Sequence, residues 1–232
     1  IILFAREYGY KLELNTVDFE FILGSVQTGK YDLAIGGITI TDERKEILNF
    51  TDVYYQSPVV MVTKGYNSET TYLSDLAGKR VGVMTGSIQA VMMPELVPDA
   101  EYMEFNSISD LIAALNSNKI DAFGCDESLY TSMLWEGQAV DRIDEPLDKS
   151  NYGLIFPKGK RKELQKEVNE YIAKVGSDGT LKALEEKWFG AKEPTEFASY
   201  DDLDGTNGTI TVAINSASMP FVYLKNNQFV GF

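Results

Sequence analysis

Residues 31–55 read YDLAIGGITITDERKEILNFTDVYY, from Tyr31 to Tyr55. Leu33, Ala34 and Ile35 form a short apolar run behind a Gly-Lys turn signal, which reads as a buried strand. Gly36 and Gly37 follow, and because neither carries a Cβ the backbone can come close to another group there. Thr39 and Thr41 alternate with Ile38 and Ile40. Thr41 or Asp42 can cap a short helix over 42–48, since a side-chain oxygen there accepts from the open amides of the first turn. Arg44 falls in that turn, where a cation opposes the helix dipole. Two readings stand open for it. It is a solvated member of the charged run Asp-Glu-Arg-Lys-Glu, or it turns back to the strand end, where its planar fork could grip a carboxylate in two parallel bonds beside the 36–39 backbone.

Around this stretch runs a chain of 232 residues, 44% of them apolar, which suffices for a sizeable core in one domain or two lobes. No run approaches the roughly 18 apolar residues of a membrane span. There is no starting Met and no leader, as in a processed or excised piece. The formal net charge of −14 argues against nucleic acid and against an anionic membrane surface, both of which attract Lys and Arg. The absence of histidine removes His-based acid–base chemistry, His metal sites and the usual Ser or Cys triads. Cys125 is the single cysteine and reads as a small buried apolar residue. No cofactor and no metal is expected.

Upstream, residues 1–8 read as the tail of a helix with Ile1, Phe4, Ala5 and Tyr8 on one face and Gly9 as its stop. A strand over 11–17 and a helix after Asp18-Phe19 lead to Gly29. Downstream, 59–63 is an apolar strand, and a polar Lys-Gly-Tyr-Asn-Ser-Glu connection follows it. Thr85-Gly86-Ser87 opens a helix that includes Gln89, Val91 and Met92, and such a loop presents amides and hydroxyls to an anion or simply caps the helix. Ser107 and Asp110 form a capping-box pattern. A buried strand over 120–124 precedes Asp126, which stands before another helix. A second apolar strand spans 151–156; then one helix places Leu164, Val168, Tyr171, Ile172 and Val175 on one stripe, and a last one ends at Trp188 and Gly190. Strands alternating with helices make the class α/β.

GGITITDER, followed by Asn-Phe-Thr-Asp-Val-Tyr-Tyr, resembles the signature of the polar amino-acid receptors of bacterial ABC importers, the glutamine-binding proteins in particular. That resemblance implies a bilobed periplasmic-binding-protein-like fold of type II with two crossover strands, here near 57–63 and 151–157. It implies one lobe from residues 1–60, 155–192 and 209–232 and a second from 61–154, while the polar composition of 193–208 reads as a linker. After that linker, the strand 210–214, the run NSASMPFVY at 215–223, Asn226-Asn227 and Gly231-Phe232 resemble the beginning of a family domain. The elements therefore stand in rotated order, as if cut across tandem receptor domains or rearranged from one. The final strand is expected beside Leu33–Ile35, within the chain or by segment exchange with a second copy.

The same resemblance implies the site. Arg44 holds the ligand carboxylate with the amides of Thr39 and Ser87. Asp126 holds the ammonium with the Gly37 carbonyl and the Thr39 hydroxyl. Phe19, Met84, Asn215, Ser218 and Phe221 face the ligand side chain. The chain departs from glutamine receptors, which carry Asp at the place of Asn215, an aromatic at Ser218, Lys at Met84 and His at Cys125. Fewer charges in the pocket favour a polar uncharged L-amino acid, glutamine or asparagine first, because Asn215 can both donate and accept. The implied partners are that small molecule and an ABC permease, at the outer face of the membrane or in the periplasm. The competing readings are the ligand-binding core of a glutamate-receptor-like channel and a dehydratase or lyase on the same scaffold. No Glu at a strand end stands ready for the acid–base work an enzyme needs.

Overall fold

The computed structural model describes residues 1–65, 70–145 and 147–232. The chain opens with α1 (Ile2–Glu7), β1 (Lys11–Thr16), α2 (Phe19–Gln27), β2 (Leu33–Ile35), α3 (Asp42–Ile47) and β3 (Leu48–Phe50). Its middle holds β4 (Tyr55–Lys64), β5 (Arg80–Met84), α4 (Gln89–Leu96), β6 (Glu101–Phe105), α5 (Ile108–Asn116), β7 (Ala122–Asp126), α6 (Glu127–Trp135) and β8 (Val140–Ile143). It continues through β9 (Lys149–Tyr152), β10 (Ile155–Pro157), α7 (Lys162–Ser177) and α8 (Thr180–Trp188). It closes with β11 (Thr209–Ile214), β12 (Ala217–Ser218), β13 (Val222–Lys225) and β14 (Gln228–Val230). The class is α/β, in two compact units: Ile1–Val17, Phe21–Tyr55 and Asn151–Phe232 form unit 1, and Asp18–Glu20 and Gln56–Ser150 form unit 2.

Unit 1 is built on a five-stranded sheet in the order β1-β11-β2-β10-β3. β11 runs parallel to both neighbours, with Leu14 and Leu33 both in register with Val212, and Ile35 with Ile214. The final strand thus pairs beside Leu33–Ile35 within the chain. Successive strand side chains point to opposite faces, so a run apolar at every position fills both layers. Leu33, Ile35, Val212 and Ile214 join Phe4, Tyr152 and Phe156 in one cluster, while Ala34 and Ala213 join Ile22, Val26, Ile38 and Leu48 in the other. That two-sided burial is why 33–35 and 210–214 read as continuous apolar runs rather than alternating ones.

Unit 2 repeats the logic with β6-β5-β7-β4-β8, to which β9 attaches through β4. Val60 and Val62 lie with Phe123 and Cys125 in one cluster, and Val59 and Met61 with Val81 and Ala122 in another. Cys125 is buried and unpaired with any cysteine, and burial pushes its thiol pKa well up.

Three local readings shift. The apolar run 151–156 is two strands: Gly153 and Leu154 interrupt it, where the Gly153 amide donates to the Ile38 carbonyl at 3.2 Å. The strand placed at 120–124 sits at 122–126, so Asp126 is its last residue. In the capping pair, the Ser107 hydroxyl accepts from the Asp110 amide at 3.1 Å and donates to the Asp110 carboxylate at 2.7 Å, a side-chain pairing in place of the full reciprocal box. Most of the polar connection after 64 lies outside the described residues.

Residues 193–208 contain no helix or strand. They are nonetheless tied to unit 1. The Glu193 carboxylate accepts from the Tyr223 hydroxyl at 2.8 Å, and Arg6 donates to the Ser199 carbonyl at 2.7 Å. The Asn207 amide side chain donates to the Tyr8 carbonyl at 2.7 Å, and Leu203 is buried.

Candidate functional site

In unit 1 the site grows from the end of β2. Gly36 and Gly37 have φ of 130° and 68°, a backbone that side-chain-bearing residues rarely adopt. A Cβ on Gly36 would lie 3.9 Å from the Asn215 amide, so the ends of the parallel strands β2 and β11 bring Asn215 to the glycine turn. Thr39 bridges to Tyr152, and the Ile40 amide donates to the Asn151 carbonyl at 2.8 Å. Ser218 follows in β12; its carbonyl accepts from the Phe221 amide at 2.7 Å.

Thr41, rather than Asp42, caps α3: its hydroxyl accepts from the Arg44 amide at 3.2 Å. This anchors Arg44 at the first turn, and its side chain takes the second of the two readings. It folds back to the strand end and donates from Nη1 to the Thr39 carbonyl at 2.8 Å, leaving only 8% of the residue exposed. Burial lowers the guanidinium pKa while the nearby Glu43 raises it; a guanidinium stays cationic at neutral pH nonetheless. Its planar donors suit a carboxylate.

In unit 2, Met84 ends β5 and Asp126 ends β7, two adjacent parallel strands. Both residues therefore stand at the carboxyl edge of the sheet, where α/β sheets take ligands. Ser87 lies in the turn after β5; its hydroxyl accepts from the Ala90 amide at 3.3 Å in the first turn of α4, whose N-cap position is Ile88. Asp126 occupies the N-cap position of α6, yet its side chain makes no capping bond. The residue is buried, with 9% of it exposed. Phe19 is buried at the start of α2, and the Gly86 turn lies against its neighbour Glu20, with 3.5 Å from a Gly86 Cβ to the Glu20 Cα.

Each unit thus gathers its own share of the expected residues: Gly37, Thr39, Arg44, Asn215 and Ser218 in unit 1, and Phe19, Met84, Ser87 and Asp126 in unit 2. Phe221 packs into the aromatic core, 5.2 Å from Tyr152 between ring centres. A separate cavity of about 270 Å³ lies among apolar side chains of unit 1, including Phe4, Tyr171, Trp188 and Phe232. Of the expected ligand contacts only Phe221 lines it. Sequence reasoning passed over Tyr54, whose hydroxyl accepts from the Gly37 amide at 3.4 Å. The signal available was a tyrosine in a run bound for the core, since a buried phenol needs a hydrogen-bond partner. Among the described residues no cluster of His, Cys, Asp or Glu could hold a metal ion, and no helix is long and apolar enough to cross a membrane.

Two α/β units, each with polar side chains at strand ends, are the architecture of a bilobed solute-binding protein. Residues 2–191 match the bacterial extracellular solute-binding proteins, family 3, and the chain belongs to that family. The arginine-binding extracellular protein ArtP of Bacillus subtilis is 30% identical over 190 residues, 80% of this chain and 73% of that protein. The glutamine-binding protein GlnH of an ABC transporter in the same organism is 29% identical over 188 residues, 80% of this chain and 67% of that one. Among solved structures, an ancestral arginine-binding protein bound to glutamine superposes with a TM-score of 0.73 at 32% identity, covering 81% of this chain and 84% of the other. Both relatives are named as binding proteins, in keeping with the solute-binding family to which the chain belongs.

Proposed function

We propose that this solute-binding protein is the amino-acid receptor of an ABC importer. It captures a polar uncharged L-amino acid, glutamine or asparagine first, and delivers it to the permease from the outer face of the membrane or the periplasm. The observation that carries the reading is Arg44, a buried guanidinium folded back onto the Thr39 carbonyl at the end of a strand. It takes the ligand carboxylate, helped by the amides of Thr39 and Ser87. Asp126 takes the ammonium, helped by the Gly37 carbonyl and the Thr39 hydroxyl. A zwitterion needs one grip of each sign. Arg44 belongs to unit 1 and Asp126 to unit 2.

The choice of an uncharged ligand rests on Asn215 and Met84, which bring a carboxamide and a thioether where a charge would be needed to favour a charged side chain. Relatives named for arginine and for glutamine support an amino acid without choosing between them. Residues 209–232 complete unit 1 in cis here. Their likeness to a domain opening is read as a trace of tandem receptors, with strand exchange between copies as the competing arrangement.

The test is a thermal-shift panel on protein stripped of carried-over ligand by unfolding and refolding. Ligand at about 100 times its dissociation constant adds about 2.7 kcal/mol. For a chain this size the midpoint then rises by roughly 5–11 °C. A rise with glutamine or asparagine is expected. A rise with arginine or cystine alone overturns the specificity, and silence across the panel overturns the receptor reading.

A further inference from the structure

Gly36 and Gly37 form the turn at the end of β2 in unit 1. With φ of 130° and 68° and no Cβ, they can rotate their shared peptide at little cost. A carbonyl that must meet an ammonium at a fixed distance needs that rotation stopped. On the far side, the Ile38 carbonyl is fixed by the Gly153 amide at 3.2 Å and Thr39 bridges to Tyr152. On the near side, the Gly37 amide donates to the Tyr54 hydroxyl at 3.4 Å. In a trans peptide the carbonyl lies opposite the N–H. Fixing the Gly37 amide therefore fixes the Gly36 carbonyl, and with the Ile38 carbonyl held as well, the peptide that carries the Gly37 carbonyl is flanked on both sides by anchored planes.

Tyr54 is itself held. Its backbone amide donates to the Tyr152 carbonyl at 3.0 Å, its ring centre lies 6.4 Å from that of Tyr152 and 6.1 Å from that of Phe232, and 8% of the residue is exposed. Burial pushes its phenol pKa up, against a smaller downward pull from the Gly37 and Gly36 amides, so the hydroxyl stays neutral through the physiological range. A neutral phenol oxygen can accept from an amide at every such pH.

We propose that Tyr54 is a positioning residue of the amino-acid site: its hydroxyl pins the Gly36–Gly37 turn and so pre-sets the Gly37 carbonyl for the ligand ammonium. This rests on the receptor reading above. Pre-setting acts by removing an ordering cost from binding rather than by touching the ligand. Loss of one neutral hydrogen bond of this kind should weaken affinity about three- to tenfold.

The experiment is calorimetric titration of L-glutamine into ligand-stripped wild type, Tyr54→Phe and Tyr10→Phe, with hydrogen exchange of the Gly37 amide followed by NMR. Tyr10→Phe removes a hydroxyl bonded to Glu167 at 2.8 Å, elsewhere in the same unit, and serves as control. Expected are a three- to tenfold weaker Kd and faster Gly37 exchange in Tyr54→Phe, with Tyr10→Phe binding as wild type. An unchanged Kd in Tyr54→Phe overturns the proposal, and so does an equal loss in Tyr10→Phe. If Tyr54→Phe does not fold, the wild type decides: a Gly37 amide exchanging at the unprotected rate overturns it. Wild type that binds no amino acid sinks the receptor reading instead, so the two failures stay separate.

Discussion

Replacing Val212 by aspartate asks whether residues 209–232 are structural. Val212 is 0% exposed, in register with Leu14 on one side and Leu33 on the other. The substitution forfeits about 1.5–3 kcal/mol of apolar burial. It also places a carboxylate among Phe4, Ile35 and Ile214, at a cost of several kcal/mol more whether it stays charged or takes up a proton. The sum, about 5 kcal/mol or more, is comparable to the whole stability of many domains. Unit 1 should lose roughly 10–20 °C in its melting midpoint, or fail to fold at room temperature, while unit 2 keeps its own core. Circular dichroism and scanning calorimetry read this directly. Leu224→Asp, in the same segment but 55% exposed, is the control and should shift the midpoint by no more than a degree or two. A Val212→Asp variant that melts with the control would refute the placement of β11 in the sheet.

Other substitutions probe the site and the pH response. If Arg44 grips the ligand as proposed, Arg44→Ala removes two carboxylate bonds; at about 1.5–3 kcal/mol for each charge-assisted bond, calorimetry should show affinity down by about 10² to 10⁴. Asp126→Asn keeps an acceptor but loses the charge opposite the ammonium, and should cost roughly 10- to 100-fold in the same assay. In unit 2, hydrogen bonding from the Arg80 side chain holds the Asp121 carboxyl below its ordinary range, against a smaller upward push from burial; Arg80 Nε and Nη2 reach its two oxygens at 3.0 and 2.8 Å. The folded pKa is the lower one, so the pair's stabilisation is complete above the unfolded carboxylate pKa and is lost as pH falls through the folded value. Asp121→Asn should therefore lower the midpoint near neutral pH, with the gap to wild type closing on acidification below about pH 4.

Much of this was legible in the sequence, for identifiable reasons. Leu33–Ile35 and 210–214 announced themselves because a strand buried on both faces is apolar at every position. The α7 stripe was legible because Val168 and Val175 recur at helical spacing. Arg44 was ambiguous because residue type favours the surface; only the Thr41 cap and the fold-back to Thr39 settle its direction. The split between β9 and β10 escaped notice because Gly153 is set by its contact with Ile38, more than 100 positions earlier. For the same reason composition showed 193–208 only as a polar joint. The partners that hold it, Tyr8, Arg6 and Tyr223, are distant in sequence. Tyr54 was lost among the aromatic residues, since its role depends on a glycine amide that no side-chain pattern reveals.

The most direct test of the central claim is calorimetric titration of the ligand-stripped protein with each polar L-amino acid in turn. The account predicts saturable heat with glutamine or asparagine at one site per chain, abolished in Arg44→Ala while that variant stays folded. Binding of an amino acid with the same affinity in Arg44→Ala, or no saturable heat from any of them, would contradict it.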